Sequence, residues 1–157
     1  MKQKLYLETT IPSYLVSRPS RDIVVAGHQQ LTREWWEKRR KDFDIFVSQF
    51  VLDEARMGDK DVAQKRLDIV ETLDLLQINS DVTELAAAIV EAGAIPEKHA
   101  VDAAHIAIAA VHGMRYLLTW NCAHIANAEI SSAVSSVCLR KGYQCPIICT
   151  PEELMEA

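Results

Sequence analysis

Acidic and nitrogen-bearing side chains recur where the predicted strands end and in the helices that turn toward those ends. They stand at four widely separated places, at Glu8, at Glu54, at Asp102, and at Asn121 with His124. Carboxylates that converge repel one another unless a cation joins them. If the fold gathers these side chains, they predict a site for a divalent metal ion.

Asp102 has the most informative surroundings. It lies in a segment, residues 100–111, in which Asp102 and His105 are the only polar interruptions of an apolar sequence. A helix that is apolar nearly all round is buried, and residues three apart share one of its faces. A buried carboxylate is costly without a partner, so Asp102 needs a metal ion, an N–H group or His105 itself.

Each candidate also has a structural interpretation. Glu8 could end a strand in solvent, and Glu54 could be a surface acid whose neighbour Asp53 is the metal ligand instead. His105 is interpreted as a hydrogen-bonded core histidine rather than a ligand, whereas His124 is open to both roles. The remaining histidines are interpreted as surface or capping residues: His28, His99 and His112.

The elements that must position these groups alternate between strand and helix. Apolar runs predict strands at residues 4–8, 44–48, 75–78, 115–120 and 146–149. Periodicity and capping residues predict helices at residues 23–40, 48–58, 61–72, 80–93, 96–113 and 125–140, with a short one at 151–154. Continuous apolar strands between helices favour a three-layer α/β/α fold with a mostly parallel central sheet of about five strands. We expect one domain spanning residues 1–157.

This fold predicts where the site would be. In open parallel sheets, ligands bind beyond the carboxyl ends of the strands. Glu8 ends the first predicted strand, Asn121 follows the fourth, and Glu54 lies in the helix that leaves the second.

Composition narrows the possible functions. A net charge of −5 argues against non-specific binding of nucleic acid by bulk charge. A local basic segment at residues 33–41 is either a nucleic-acid face or an amphipathic helix with solvated charges. No apolar run is long enough to span a bilayer and the first residues do not resemble a signal peptide, so we expect a cytoplasmic protein. Cys145 and Cys149 are spaced for a zinc site, but reduced, buried thiols are the favoured interpretation.

Four segments together resemble the PIN domain family, and within it the VapC-like toxins of type II toxin–antitoxin systems. Residues 5–10 resemble its opening strand, and residues 47–54 resemble its second strand with the helix that carries a Glu. Residues 102–107 are similar to its Asp-Ala-x-x-x-Ala helix, and residues 116–121 to its fourth strand and following turn. The resemblance covers nearly the whole chain.

The resemblance implies a metal-dependent ribonuclease that uses Mg²⁺ or Mn²⁺, with RNA as substrate, a cognate antitoxin as partner, a homodimeric state and no membrane association. The implied catalytic residues are Glu8, Glu54, Asp102 and Asn121. The implied metal ligands are Glu8, Glu54, Asp102 and His124, and the residues that would support them by hydrogen bonds are Thr9, Thr119 and His105.

Two departures from the family pattern affect the chemistry. Glu8 replaces the usual Asp, and Asn121 and His124 occupy places where the family usually has Asp. Fewer negative charges weaken the binding of a second hard cation, and imidazole shifts preference from magnesium toward manganese or another transition metal. The alternatives are an inactive PIN-like binding module and a metal-dependent phosphatase of small substrates.

Overall fold

The structure, a computed structural model, describes residues 1–156 and has a central sheet between two layers of helices. All five strands are parallel, in the order β3-β2-β1-β4-β5. The strands are β1 Gln3–Leu7, β2 Phe43–Ser48, β3 Asp74–Leu76, β4 Tyr116–Leu118 and β5 Ile147–Cys149. The predicted α/β/α architecture is therefore confirmed. The sheet was expected to be mostly parallel, and all four of its strand pairs are parallel.

Seven α-helices and two short 3₁₀ turns connect the strands. The helices are α1 Thr10–Val16, α2 Ile23–Arg39, α3 Gln49–Ala55, α4 Lys60–Val70, α5 Ser80–Glu91, α6 Ala100–Val111 and α7 Ala128–Arg140. The 3₁₀ turns are Arg40–Asp42 and Glu97–His99. Four helices begin at an Asp or Asn whose side chain accepts backbone N–H groups of the first turn, namely Asp22, Asp59, Asn79 and Asn127.

Several helix predictions differ from the structure. Helix α1 was not predicted, the helix predicted at residues 48–58 spans Gln49–Ala55, and the one predicted at residues 96–113 spans Ala100–Val111 after a 3₁₀ turn. The helix expected from residue 125 begins at Ala128, because Asn127 caps it and the Asn121 carbonyl accepts the N–H groups of Ile125 and Ala126 in a turn. Residues 151–154 form turns instead of a helix. The bond there from the Leu154 N–H to the Pro151 carbonyl spans three residues, which closes a turn rather than an α-helical ladder.

The buried core includes the central strand of the sheet and helix α6, which carry or adjoin several of the candidate residues. β1 is the central strand, and its Leu5, Tyr6 and Leu7 are fully buried. Helix α6 is buried continuously from Ala103 to Ala110, as its apolar sequence predicts. The chain leaves β1 for β2 on one side, whereas β4 lies on the other, so a crevice is expected beyond the ends of β1 and β4.

The basic segment at residues 33–41 lies at the opposite edge. It forms the end of α2 and the turn that leads into Phe43, the first residue of β2. Trp35 is fully buried, and the Arg40 guanidinium lies 5.0 Å from the centre of the half-buried Trp36 ring. Arg40 and Lys41 therefore lie by the amino end of β2, away from the strand ends that carry Glu8 and Asn121, whereas Arg33 lies farther along α2 and donates to the Ser17 carbonyl.

Two further findings concern membranes and cysteines. Within residues 1–156, none of the helices combines the length and apolar composition that a bilayer span requires. In the same part of the chain, no cysteine joins a cluster of side chains able to hold a metal ion. The partners of Cys145 include the Cys138 thiol, whose hydrogen bond lowers the pKa of Cys145 to about 7.

Candidate active site

Glu8 follows the last residue of β1 and is 3% exposed. One carboxylate oxygen, Oε1, accepts hydrogen bonds from the Thr10 backbone N–H (3.0 Å), the Thr10 hydroxyl and the Thr119 hydroxyl (2.7 Å). Burial raises the pKa of Glu8, and these bonds only partly offset it. Among the described side chains, none donates to Oε2, and this oxygen is not fully enclosed.

Glu54 lies in α3, which begins directly after β2, and its side chain is 31% exposed. Its Oε1 accepts hydrogen bonds from the Thr9 hydroxyl (2.7 Å) and from His105 Nε2 (2.6 Å). Burial acts to raise the pKa of Glu54, but the bond and charge of His105, together with Thr9, outweigh it and lower the pKa. Asp53 is exposed and contacts Gln49, so Glu54 is the acid of this pair that lies beside Glu8.

His105 is fully buried and makes a hydrogen bond to Glu54. Its Nδ1 lies 2.6 Å from the Tyr6 hydroxyl, which lies 2.7 Å from the Ser48 hydroxyl. An ionised carboxylate can only accept hydrogen bonds, so Nε2 carries the hydrogen that binds Glu54. Both ring nitrogens are thus engaged within the protein, and His105 orients Glu54 rather than offering a free lone pair to a metal ion.

Glu8 and Glu54 lie together. Each offers a carboxylate oxygen within 4.8 Å of the other and of a His105 ring nitrogen. Burial is the largest influence on the pKa of both acids, but at Glu54 the hydrogen bond and charge of His105 together with Thr9 outweigh it, so the two pKa values shift in opposite directions.

Asp102 lies in the first turn of α6 and joins a different group. Its Oδ1 accepts a hydrogen bond from Asn121 Nδ2 (3.2 Å), and its Oδ2 lies 3.5 Å from His124 Nδ1. The Asn121 side-chain oxygen in turn accepts the His124 backbone N–H. Asn121 therefore ties Asp102 to the turn that follows β4.

Thr119 connects the two groups. Its hydroxyl donates to Glu8 and accepts the backbone N–H of Asn121 at 2.9 Å. Asn121 then reaches Asp102. The expected single cluster is thus arranged as a carboxylate pair, Glu8 with Glu54, joined through Thr119 and Asn121 to a second group around Asp102.

Two residues near the site were not among the residues predicted from the sequence. His99, interpreted there as a surface or capping residue, offers a ring nitrogen within 4.8 Å of ligand atoms of Asp102 and His124. Its position three residues before Asp102 was the available signal. Thr10 was also missed, although its hydroxyl donates to Glu8 and accepts the Trp120 backbone N–H at 2.8 Å.

The other two histidines lie outside these groups. His28 stacks on Trp120, with ring centres 3.9 Å apart and planes inclined by 12°. His112, which directly follows α6, places its Nε2 2.7 Å from the Gln77 carbonyl oxygen. Neither histidine therefore has a place among the candidate ligands.

The comparison with protein families decides what this arrangement belongs to. A family model described as PIN domain matches residues 6–121, which include Glu8, Glu54, Asp102 and Asn121. The chain belongs to the PIN domain family. PIN domains are generally nucleases that bind divalent metals, so the chain has a metal-dependent nuclease fold. The search of curated proteins gave no match.

The residues of this PIN domain fit a divalent cation. Carboxylate oxygens are the ligands that hard cations prefer, and Glu8, Glu54 and Asp102 supply three carboxylates. Glu8 and Glu54 each use Oε1 for all their hydrogen bonds with other side chains of the described part, which leaves Oε2 available. The raised pKa of Glu8 fits the same role, because a nearby cation would favour its ionised form.

Proposed function

We propose that this PIN domain is a divalent-metal-dependent endoribonuclease that uses Mg²⁺ or Mn²⁺. The observation that carries the proposal is the Glu8–Glu54 pair at the carboxyl edge of the sheet, each acid held by one oxygen with the other oxygen available. Asp102 adds a third carboxylate from the neighbouring group. The family membership supports a nuclease, and the choice of RNA as substrate rests on the resemblance of four segments to VapC-like toxins.

The three carboxylates have different roles in the proposed reaction. Glu8 and Asp102 bind the principal ion, and Glu54 binds the ion or orients the attacking water. When bound, the ion would offset the negative charge of the phosphodiester and make a water molecule more acidic. Thr9 and His105 hold Glu54 in one orientation, because each donates a short hydrogen bond to the same oxygen.

Asn121 and His124 form the corner at which the chain departs from the family pattern. The Asn121 amide donates to Asp102, so it fixes the orientation of that carboxylate. His124, whose side chain is 31% exposed, is available to bind an ion or to contact phosphate. Replacing carboxylates by neutral groups here reduces repulsion of an RNA phosphate and favours manganese over magnesium.

The biological setting belongs to the same proposal. We infer a cytoplasmic toxin that acts as a homodimer and is held inactive by a small antitoxin covering the acidic crevice. This inference rests on the resemblance to VapC-like toxins. Co-expression with the product of a short adjacent reading frame tests it: a stable complex that lacks nuclease activity supports the toxin, and the absence of any such frame or complex contradicts it.

Cleavage by an Asp102→Asn variant tests the catalytic assignment. Replacing a supporting partner of a metal ligand typically costs about 10–100-fold, so removing a ligand carboxylate should lower cleavage by at least about 100-fold. The assay follows a labelled single-stranded RNA with Mg²⁺, with Mn²⁺ and with EDTA. Asp53→Asn is the matched control, because Asp53 is an exposed acid one residue from Glu54.

The outcomes separate the alternatives. Cleavage by wild-type protein and Asp53→Asn with metal alone supports the ribonuclease, and undiminished cleavage by Asp102→Asn excludes the assigned role. Wild-type protein that neither binds a divalent ion nor cuts RNA would be the inactive binding module. Hydrolysis of a chromogenic phosphate ester without RNA cleavage would identify the small-substrate phosphatase.

A further inference from the structure

A second group of potential metal ligands lies beside the carboxylate pair and has a different chemistry. His99 ends the 3₁₀ turn before α6, Asp102 lies in the first turn of α6, and His124 lies in the turn after β4. Each offers one ligand atom, and the three atoms lie within 4.8 Å of one another. Two imidazoles and one carboxylate thus come together from two places in the sequence, residues 99–102 and His124.

The donor atoms of this group are available. Within residues 1–156, neither the His99 nor the His124 ring makes a hydrogen bond, in contrast to His105, whose two ring nitrogens are both engaged. Asp102 accepts the Asn121 amide at Oδ1, which leaves Oδ2 facing His124 Nδ1 at 3.5 Å. The Asn121 bond resembles the supporting contacts that orient metal-binding carboxylates.

The spacing is close to what a metal ion requires. Ligands at about 2.0–2.2 Å from a zinc-like ion lie roughly 3–3.5 Å from one another, and the His124–Asp102 contact is already 3.5 Å. The His99 and His124 rings are stacked, with centres 3.7 Å apart and planes inclined by 25°. A metal ion lies in the plane of each imidazole, so binding needs the two rings to turn out of this stack. Neither ring makes a hydrogen bond to a described residue that this rotation would break.

We propose that His99, Asp102 and His124 bind one transition-metal dication. Imidazole suits zinc, copper, iron and nickel, whereas magnesium takes oxygen ligands, so this group selects a different class of ion from the Glu8–Glu54 pair. The site shares Asp102 with the proposed ribonuclease centre, but Co²⁺ binding tests it without reference to RNA cleavage. It is also distinct in composition, since His99 and His124 are not acids.

Titration of the full-length, metal-stripped protein with Co²⁺ alone tests the site. Isothermal titration calorimetry gives affinity and stoichiometry, and the visible spectrum of bound Co²⁺ reports its ligands. We expect binding that weakens by at least about tenfold in His99→Gln and, separately, in His124→Gln. His112→Gln is the matched control, because His112 lies at the other end of α6 and contacts the Gln77 carbonyl. Far-UV circular dichroism of each variant verifies that it is folded.

Each result decides the proposal. Equal Co²⁺ affinity of wild-type protein and both His variants overturns it, as does a thiolate-to-cobalt absorption band, which would place the ion on cysteines. Loss of Co²⁺ binding in Glu8→Gln with full binding in His99→Gln also overturns it, since the ion would then lie at the carboxylate pair. Retained Co²⁺ binding in a protein that fails to cut RNA refutes only the ribonuclease.

Discussion

Glu8 and Glu54 are the same type of residue, yet their surroundings act on the negative charge in opposite directions. Glu8 is buried at the end of β1, and burial raises its pKa despite three donors. Glu54 is also desolvated, but the His105 bond and charge lower its pKa. Burial of the Glu8 carboxylate makes its ionised form costly in the folded protein, and a bound cation would offset that cost.

Glu8→Gln should therefore stabilise the metal-free protein at neutral pH. A raised pKa means that the folded state holds the Glu8 proton more tightly than the unfolded chain. Ionisation then costs folding free energy once the pH rises above the usual value of 4.5. Glutamine keeps an oxygen to accept from Thr10 and Thr119 and removes the charge. Thermal unfolding in EDTA should show a higher melting temperature at pH 7 and no gain below pH 4.5.

Glu54→Gln is the matched comparison, because we expect it to change the melting temperature in the opposite direction. Because the pKa of Glu54 is lowered, its contribution to stability is present above the usual value of 4.5 and lost as the pH falls through the lower, folded-state pKa. The variant should melt at a lower temperature than wild type at pH 7. Melting-temperature shifts of the same sign in both variants would contradict pKa shifts of opposite direction at Glu8 and Glu54.

At the scale of elements, helix α2 holds the start of the site turn in place. Thr32 lies in α2 and is fully buried, and its hydroxyl accepts the Trp120 indole N–H at 2.7 Å while donating to the His28 carbonyl. Trp120 directly precedes Asn121, and its backbone N–H donates to Thr10. One side chain of α2 thus anchors the residue from which the Asn121 turn departs.

Thr32→Val should destabilise the protein by leaving the Trp120 indole N–H buried without a partner. Such a group costs about 1–3 kcal/mol, and each kcal/mol lowers the melting temperature of a chain of this length by about 2–4 °C. Thr83→Val is the matched control, since the Thr83 hydroxyl also bonds the carbonyl four residues earlier in a helix but is exposed. Equal shifts in thermal unfolding for the two variants would refute the anchoring role of Thr32.

At the scale of the whole molecule, the parallel sheet separates the site from the basic segment. Every strand runs from the edge near Phe43 toward the edge that carries Glu8 and Ser48. Six residues of β2 span about 20 Å. This distance exceeds the Debye length of about 8 Å at physiological ionic strength, so the charges of Arg40 and Lys41 act weakly at the site.

Reversing Arg40 and Lys41 together to Glu should leave the cleavage of a short RNA unchanged within about twofold at physiological ionic strength. The control reverses Arg140 and Lys141, which are exposed at the end of α7 and produce the same change in net charge. The measurement is kcat/KM for an RNA short enough to contact only the crevice. A tenfold loss confined to the Arg40 and Lys41 variant would show that the basic segment binds RNA.

The sequence by itself determined the fold and predicted the edge of the sheet at which Glu8 and Asn121 lie. Apolar strands alternating with helices require a covered parallel sheet, and strand ends of such a sheet meet at one edge. Residues that directly follow strands, such as Glu8 and Asn121, were therefore assigned to that edge without any coordinates. The burial of α6 was also predictable, because an apolar surface all round a helix leaves no face for solvent.

Only the tertiary structure decided which side chains pair. Asp102 and His105 share a face of α6, yet His105 reaches Glu54 beneath β1 while Asp102 turns to Asn121. That division depends on how α6 lies across the sheet and on the alignment of β1 with β4, which no local pattern encodes. The same packing brings His99 and His124 together across 25 positions of sequence, because contacts between elements follow from their relative placement rather than from spacing along the chain.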